Sequence, residues 1–166
     1  MSRSSTAVAC WRLAVAGSVA LATASGASAQ RMHDHGHAVS APIDLKWMDL
    51  PSLPPGAKIA VLEGPMNEAV PFTARLRLPA NYRIPGHWHP AVERVTVLSG
   101  TFYMGTGEVL ETSKGVAVPI GGFTVMPART PHFAYTLAEP AEIQLHSTGP
   151  WGITYFNAAD DPRKKP

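Results

Sequence analysis

Three histidines and one glutamate, in two clusters, are the residues of this sequence best suited to chemistry. His87, His89 and Glu93 lie close together, and His132 follows far downstream. Because side chains alternate along a strand, His87 and His89 point to one face, and Glu93, at even spacing from both, can return to it. His132 must come from another strand. Three imidazoles and a carboxylate suit one divalent transition metal ion, and manganese, iron, copper, zinc and nickel all remain open.

The alternative to a metal site is an empty pocket with a purely structural role. Lone histidines in strands usually lie on the surface or in a core where their hydrogen bonds are satisfied. Four polar side chains on converging inward faces would be costly to bury without partners, and a metal ion removes that cost. We therefore predict metal binding by His87, His89, Glu93 and His132. Glu93 could also act as a base.

The spacing of these residues resembles the cupin superfamily, beginning with its first motif. His87 and His89 form the H-x-H pair of that motif, and Glu93 and Gly100 follow at the expected distances. Asn81 stands where the opening glycine of the motif is expected.

The second cupin motif is followed in part. Gly121, Pro127 and His132 fit it, whereas Arg129 replaces a glycine and Thr136 replaces an asparagine. All the ligand positions are kept, and the departures fall on turn positions and on positions beside the site.

The resemblance covers roughly residues 72–155 and implies an all-β fold, a single cupin jelly-roll β-barrel. Cupins with three histidines and one glutamate include dioxygenases and oxalate-metabolising enzymes. The resemblance therefore implies a metal-dependent, dioxygenase-like enzyme that acts on a small chelating substrate, with Glu93 as the candidate catalytic residue. The alternative is a non-catalytic cupin that binds a small ligand or a metal.

Short alternating segments between glycines and prolines predict strands from Ala57 onward. We expect Arg94–Leu98 to continue the strand of the first motif. The other predicted strands lie at 58–62, 72–78, 101–104, 117–118, 123–126, 132–137, 142–146 and 152–156, with a turn within 108–114.

Alternation also suggests which residues wall the pocket. Val95 and Val97 share the parity of Glu93 and are candidates for the inner wall. Gln144 and His146 share one face of their strand, but parity does not say which face is inward. A role beside the metal and an exterior role therefore both stay open for His146. Four larger side chains are expected to serve in packing rather than substrate contact: Phe102, Tyr103, Met104 and Trp151.

The N-terminal residues read as a secretory signal peptide. Arg3 and Arg12 precede or begin a short apolar run, and Ala27-Ser28-Ala29 fits a cleavage site. The run is too short to span a bilayer, although an uncleaved anchor is the alternative. We predict a secreted or periplasmic protein with no membrane contact after cleavage. The predicted segments are a signal peptide (1–29), a His/Pro-rich arm (30–56), the barrel (57–157) and a C-terminal tail (158–166).

Charge and cysteine content exclude several partners. The net charge of +2 includes Arg3 and Arg12, so without the signal peptide the 14 basic residues fall to 12 and balance the 12 acidic ones. No basic patch indicates nucleic acid. The single cysteine, Cys10, lies in the signal peptide, so the mature domain has no disulfide and no thiolate ligand. The expected partner is a small-molecule substrate or ligand.

The arm raises two further expectations. His33, His35 and His37 alternate in a polar stretch that could bind metal weakly, or could be a disordered polar linker without a role. The proline-rich stretch 41–56 could cross to a second copy, which predicts a homodimer.

Overall fold

The structure, a computed structural model, describes residues 32–33 and 37–164, so the predicted signal peptide lies outside the described residues. No helix in this range is long and apolar enough to cross a bilayer. The strands are β1 (Met32–His33), β2 (His37–Ala38), β3 (Met48–Asp49), β4 (Lys58–Glu63), β5 (Pro71–Leu78), β6 (Arg83–Trp88), β7 (Glu93–Ser99), β8 (Phe102–Thr106), β9 (Val116–Val118), β10 (Phe123–Met126), β11 (His132–Tyr135), β12 (Ala141–Thr148) and β13 (Thr154–Tyr155). Short 3₁₀ turns lie at Pro42–Asp44, Thr112–Lys114, Ala158–Asp160 and Pro162–Lys164.

Two antiparallel sheets face each other across the core. One sheet has the order β10-β7-β12-β5-β4-β3, and the other has the order β13-β6-β11-β8-β9. The predicted all-β fold is confirmed: the strands form two packed antiparallel sheets. The buried apolar side chains of the two inner faces form one continuous cluster between the sheets. The metal-ligand candidates lie within this double-sheeted frame.

Strand β5 shows how the sequence selects the inner face. Phe72, Ala74, Leu76 and Leu78 are buried, and the residues between them point outward. Fully burying one side chain of the size of Phe72 or Leu78 contributes about 1.5–3 kcal/mol. This alternation was predicted from the sequence and fixes the register of the strand, because a slip by one residue would expose the whole apolar set.

The strand of the first motif is shorter than expected. It ends at Trp88, and β7 begins at Glu93 in the opposite sheet. The prediction that Arg94–Leu98 continues this strand is therefore wrong. Pro90 lies in the connection and has no N–H to donate to a ladder, which favours a break at this point. The break carries the chain from one sheet to the other between His89 and Glu93.

The two departures from the expected glycines share one backbone conformation. Asn81 and Arg129, at φ 57° and 60°, are the two non-glycine residues with positive φ among the described residues. This left-handed region costs a non-glycine residue roughly 1–2 kcal/mol. Thr136 stabilises the first of these turns, because its Oγ1 donates to Pro79 O (2.6 Å) and accepts from Tyr82 N (2.9 Å). The turn geometry is thus kept although the glycines are not.

Residues before the predicted barrel also take part in the fold. β3 pairs with β4 at the edge of the larger sheet, and Leu53 belongs to the core. Further upstream, β1 and β2 pair over two residues each, which differs from the disordered linker that was one of the two expectations for this stretch. Residues 34–36, which include His35, lie outside the described residues. A role for the three arm histidines in metal binding stays a prediction.

Candidate metal centre

Two neighbouring strands of the smaller sheet bring the three histidines together. His132 on β11 lies directly opposite His87 on β6, and their ring centroids are 4.1 Å apart. His89 follows the end of β6. All three residues are buried: His87 is 3% exposed, His89 is 7% exposed and His132 is 1% exposed. One ring nitrogen of each lies within 4.8 Å of the others.

Backbone carbonyls orient all three imidazole rings in the same way. With the proton placed on Nδ1, each ring donates a hydrogen bond of 2.7–2.8 Å and leaves the lone pair of Nε2 free. Such a hydrogen bond on the second nitrogen is the usual way in which metal-binding histidines are oriented. The accepting oxygens belong to Pro85 for His87, Gly152 for His89 and Thr130 for His132.

Glu93 reaches the cluster from the opposite sheet, as the first residue of β7. Its carboxylate oxygens lie 3.7 Å from His89 Nε2 and 3.4 Å from His132 Nε2. Glu93 Oε2 and His132 Nε2 are both buried and have no hydrogen-bond partner among the described residues. Two acceptors that face each other out of contact with water are unfavourable, and a cation between them would satisfy both.

Burial and mutual proximity set the charges of the cluster. Burial lowers the pKa of His87 well below its ordinary value, and the neighbouring His132 and His89 lower it further. Burial also lowers the pKa of His89. For Glu93, burial by itself would raise the pKa, but the close approach of His132, and then the electrostatic effect of the neighbouring histidines, lowers it. His87 and His89 are therefore neutral ligands beside an ionised carboxylate.

This donor set fits a divalent transition metal ion. The histidine trio could hold such an ion, with Nε2 as the ligand atom of each ring. The separations of Glu93 from His89 and His132 are close to those of neighbouring ligands that each lie about 2.0–2.2 Å from one ion. Imidazole with carboxylate suits several first-row ions, so the donor set does not choose among them.

The cluster lines a cavity of about 230 Å³ between the sheets. Ile143 and Leu145 of β12 point into it, which resolves the question that parity left open. His146 is on the outer face of the same strand, hydrogen-bonded to Thr73 and Gln144. Val95 and Val97 are fully buried core residues and do not line this cavity.

Several residues that line the cavity were not expected there. Phe102, Met104 and Trp151 line it, although we expected them to serve in packing. Trp151 also stacks on the ring of His89, with centroids 4.2 Å apart. Arg163 comes from the predicted tail. The Gly-Pro turn before Trp151 marked a loop but carried no periodicity that would place the ring beside a histidine.

Solved structures with the same fold include enzymes of different kinds. The polyketide cyclase RemF from Streptomyces resistomycificus matches with a TM-score of 0.65 and 14% identity, over 77% of this chain and 91% of that chain. The DMSP lyase DddQ from Ruegeria pomeroyi DSS-3 has a TM-score of 0.55 and 17% identity, over 68% of this chain. An oxalate oxidase has a TM-score of 0.50 and 23% identity, over 65% of this chain.

These similarities are similarities of fold. The chain covers 61% of the lyase and 59% of the oxalate oxidase, and a comparison with curated protein sequences gave no match. A sequence family described as the ChrR cupin-like domain matches residues 21–151, which is most of the chain. The chain therefore belongs to this ChrR cupin-like family of the cupin superfamily.

Proposed function

We propose that the protein is an exported, metal-dependent enzyme that acts on a small chelating molecule with dioxygenase-like chemistry. The ion would be held by His87, His89, Glu93 and His132. One observation supports this proposal above the others: oriented imidazoles and a carboxylate oxygen meet in a buried position where Glu93 Oε2 and His132 Nε2 have no partner. A divalent ion would supply a Lewis acid and a coordination position for a chelating substrate or for O₂.

The residues of the chain have separate roles in this proposal. The hydrogen bonds that Nδ1 of each ring donates to a backbone carbonyl hold the imidazoles in place, so little reorganisation is needed when substrate enters. Glu93 is the sole carboxylate that lines the cavity among the described residues, and it is the candidate to accept a substrate proton. The neighbouring histidines lower the pKa of Glu93, so Glu93 is a weak base that suits an acidic hydroxyl group.

The size of the cavity limits the substrate. Its volume of about 230 Å³ is below the roughly 300–1,000 Å³ typical of pockets for drug-sized ligands. Small enediols, hydroxy-ketones and carboxylates fit this limit better than flavonols. The walls are mostly apolar and would keep water away from the ion.

The proposal is tested by metal content and oxygen uptake. Protein loaded separately with iron, manganese, copper or nickel should consume oxygen with a small chelating substrate in at least one form. If no metal form consumes oxygen with any enediol, hydroxy-ketone or dicarboxylate tested, the dioxygenase assignment is wrong. Export is tested separately, by finding whether the mature protein outside the cytosol begins at Gln30.

Glu93→Gln sharpens this test, because it keeps the volume and removes the charge. Turnover should fall by about 10²–10⁴-fold, the usual contribution of a general base, and by more than metal content falls. Glu142→Gln is the matched control. Glu142 lies on the outer face and pairs with Arg77 at 2.9 Å, so its substitution should leave turnover unchanged.

The second candidate is a cupin that binds a small ligand without turnover. Apart from the metal-ligand candidates, Ser52 and Arg163 are the polar side chains on the cavity wall among the described residues. A site with so few groups for proton transfer also suits binding. Tight binding of a chelating ligand by every metal form, with no chemical change in that ligand, would favour this second function.

A further inference from the structure

The segment after Trp151 builds one side of the site, although it lies beyond the residues matched by the family. β13 pairs with β6 and places Tyr155 opposite His87. The carbonyl of Gly152 accepts the hydrogen bond from His89 Nδ1 at 2.7 Å. The family match ends at residue 151, so this wall lies outside the matched residues.

Arg163 joins this wall to the cavity. Its Nη2 donates to the carbonyl of Ile153 at 3.0 Å, one residue after the carbonyl that orients His89. Nε and Nη2 also donate to the two carboxylate oxygens of Asp161, at 2.8 and 3.0 Å. Asp161 is buried, whereas the Arg163 side chain is 42% exposed. The guanidinium is thus fixed at the edge of the cavity that it lines.

Two donors of this guanidinium are left over. Arginine has five N–H donors, and the contacts to Asp161 and Ile153 use three of them. Nη1 has no hydrogen-bond partner among the described residues. A planar guanidinium that is held in one orientation and carries two unused donors is well suited to a carboxylate. Asp161 neutralises the single positive charge of Arg163, so the two Nη1 donors, rather than net charge, would hold the ligand, and a group with one negative charge suits this position better than a dianionic phosphate.

The charges along the cavity point to the same kind of ligand. Arg163 is the one cationic side chain, and Glu93 the one carboxylate, on the described cavity wall. Glu93 faces the histidines, so it does not neutralise Arg163. The wall between these polar ends is apolar and includes Leu53, Trp151 and Ile153. A short molecule with an apolar middle would therefore meet polar partners at its two ends.

We propose that Arg163 recognises the carboxylate of a short ligand whose other end chelates the ion. This inference rests on the proposed function only in placing that other end on the metal. Arg163 is thus a specificity residue: it selects small carboxylates over neutral molecules of the same shape. Asp161 positions it.

The test compares two probes that differ at one end. N-Hydroxysuccinamic acid carries a metal-binding hydroxamate and a carboxylate, and N-hydroxysuccinamide carries an uncharged amide instead of the carboxylate. Calorimetry with zinc-loaded protein avoids any dependence on turnover. The wild-type protein should bind the acid roughly 10-fold or more tightly than the amide, as expected for hydrogen bonds between charged groups. Equal dissociation constants would overturn the proposal.

Variants assign the preference to Arg163. Arg163→Gln alone would leave the buried Asp161 without its partner, so it is combined with Asp161→Asn. The double variant should bind the two probes equally. Lys164→Gln, which removes an exposed neighbouring cation that does not line the cavity, should keep the wild-type preference. A preference that persists in the double variant would overturn the assignment.

A metal-free measurement separates this inference from the proposed function. If the protein took up no zinc, or if the zinc form bound neither hydroxamate, the proposed function would be wrong. Arg163 would then be tested with butanoate and butanamide on metal-free protein. Preference for butanoate in the wild-type protein, lost in the double variant, would support carboxylate recognition. Equal or undetectable binding of both would overturn it.

Discussion

His132 and His146 are both strand histidines of one barrel, but their ring nitrogens end in opposite environments. On the outer face, His146 Nδ1 lies 3.1 Å from Thr73 Oγ1, and its Nε2 lies 3.0 Å from the amide nitrogen of Gln144. With the proton on Nδ1, that ring donates to Thr73 and accepts from Gln144. His132 also has Nδ1 hydrogen-bonded, but its Nε2 faces a carboxylate oxygen of Glu93 at 3.4 Å.

The difference separates a histidine that completes a network from one that requires a ligand. The outer network continues from Gln144 Oε1 to Arg75 Nε at 3.0 Å, so each donor meets an acceptor. In the inner cluster a buried lone pair meets a buried anion, and the described residues supply no donor for either. Both residues are histidines, but the group that faces Nε2 differs: it is the amide of Gln144 for His146 and the carboxylate of Glu93 for His132. That group therefore identifies the site.

The largest expected effect is on metal affinity. His132→Ala should weaken metal binding by more than the roughly 10–100-fold that is usual for removing a residue that only supports a ligand. The reason is that it removes one of the proposed ligands. Metal content after dialysis against a competing chelator measures the change. The control is His146→Ala, which removes an outer-face histidine. Equal metal content in the two variants would contradict the distinction between the two histidines.

A moderate effect on stability is expected in the outer network. Thr73→Val keeps the shape of the side chain but removes the hydroxyl that contacts both His146 and Glu63. The free energy of unfolding should fall by about 0.5–1.5 kcal/mol, the net contribution of such a hydrogen bond, and metal affinity should not change. Urea unfolding measures the first quantity. Thr148→Val, at an exposed position near the end of β12, should have almost no effect.

The smallest expected effect is on the stability contributed by the ion pair of Asp161 and Arg163. The hydrogen bond from Arg163 lowers the pKa of the Asp161 carboxyl. The ionised carboxyl therefore stabilises the fold above its unfolded pKa of about 3.9, and this contribution is lost as the pH falls. Asp161→Asn should destabilise the protein at pH 7, and its difference from wild type should narrow below about pH 4. Asp44→Asn, at an exposed position, is the control.

A stability difference between wild type and Asp161→Asn that stayed constant from pH 7 to pH 3 would contradict this explanation. It would mean that the charge of Asp161 is unimportant and that only packing changed. Thermal unfolding of both proteins across this range is sufficient to decide.

Much of the fold could be predicted from local sequence. The segment at 123–126 was predicted with the bounds of β10, and the alternation of β5 matches its burial. Asn81 and Arg129 were recognised as substitutes for glycines, and both adopt positive φ. These features depend on neighbouring residues along the chain, namely the two-residue period of a strand and the steric limits of one backbone position.

The site was predicted less completely, because its wall depends on contacts between distant segments. Glu93 was expected on the face of His87 through continuous alternation, but it reaches the cluster by crossing to the other sheet. Likewise, Trp151 and Arg163 line the cavity although nothing near them in sequence marks a site. Neither residue lies in a long alternating strand, so periodicity has no information about them.

The ligand types, their spacing and the all-β pattern could be derived from the sequence alone, because they follow from side-chain chemistry and from the period of a strand. The inward face of β12 depends on the packing of the two sheets, which places Ile143 and Leu145 in the cavity and His146 outside. Alternation divides the side chains of a strand between two faces, but it does not say which face is turned towards the core. Direction is set when one face packs against a second sheet, and that same packing brings Arg163 from the C-terminal tail to the wall of the candidate metal site.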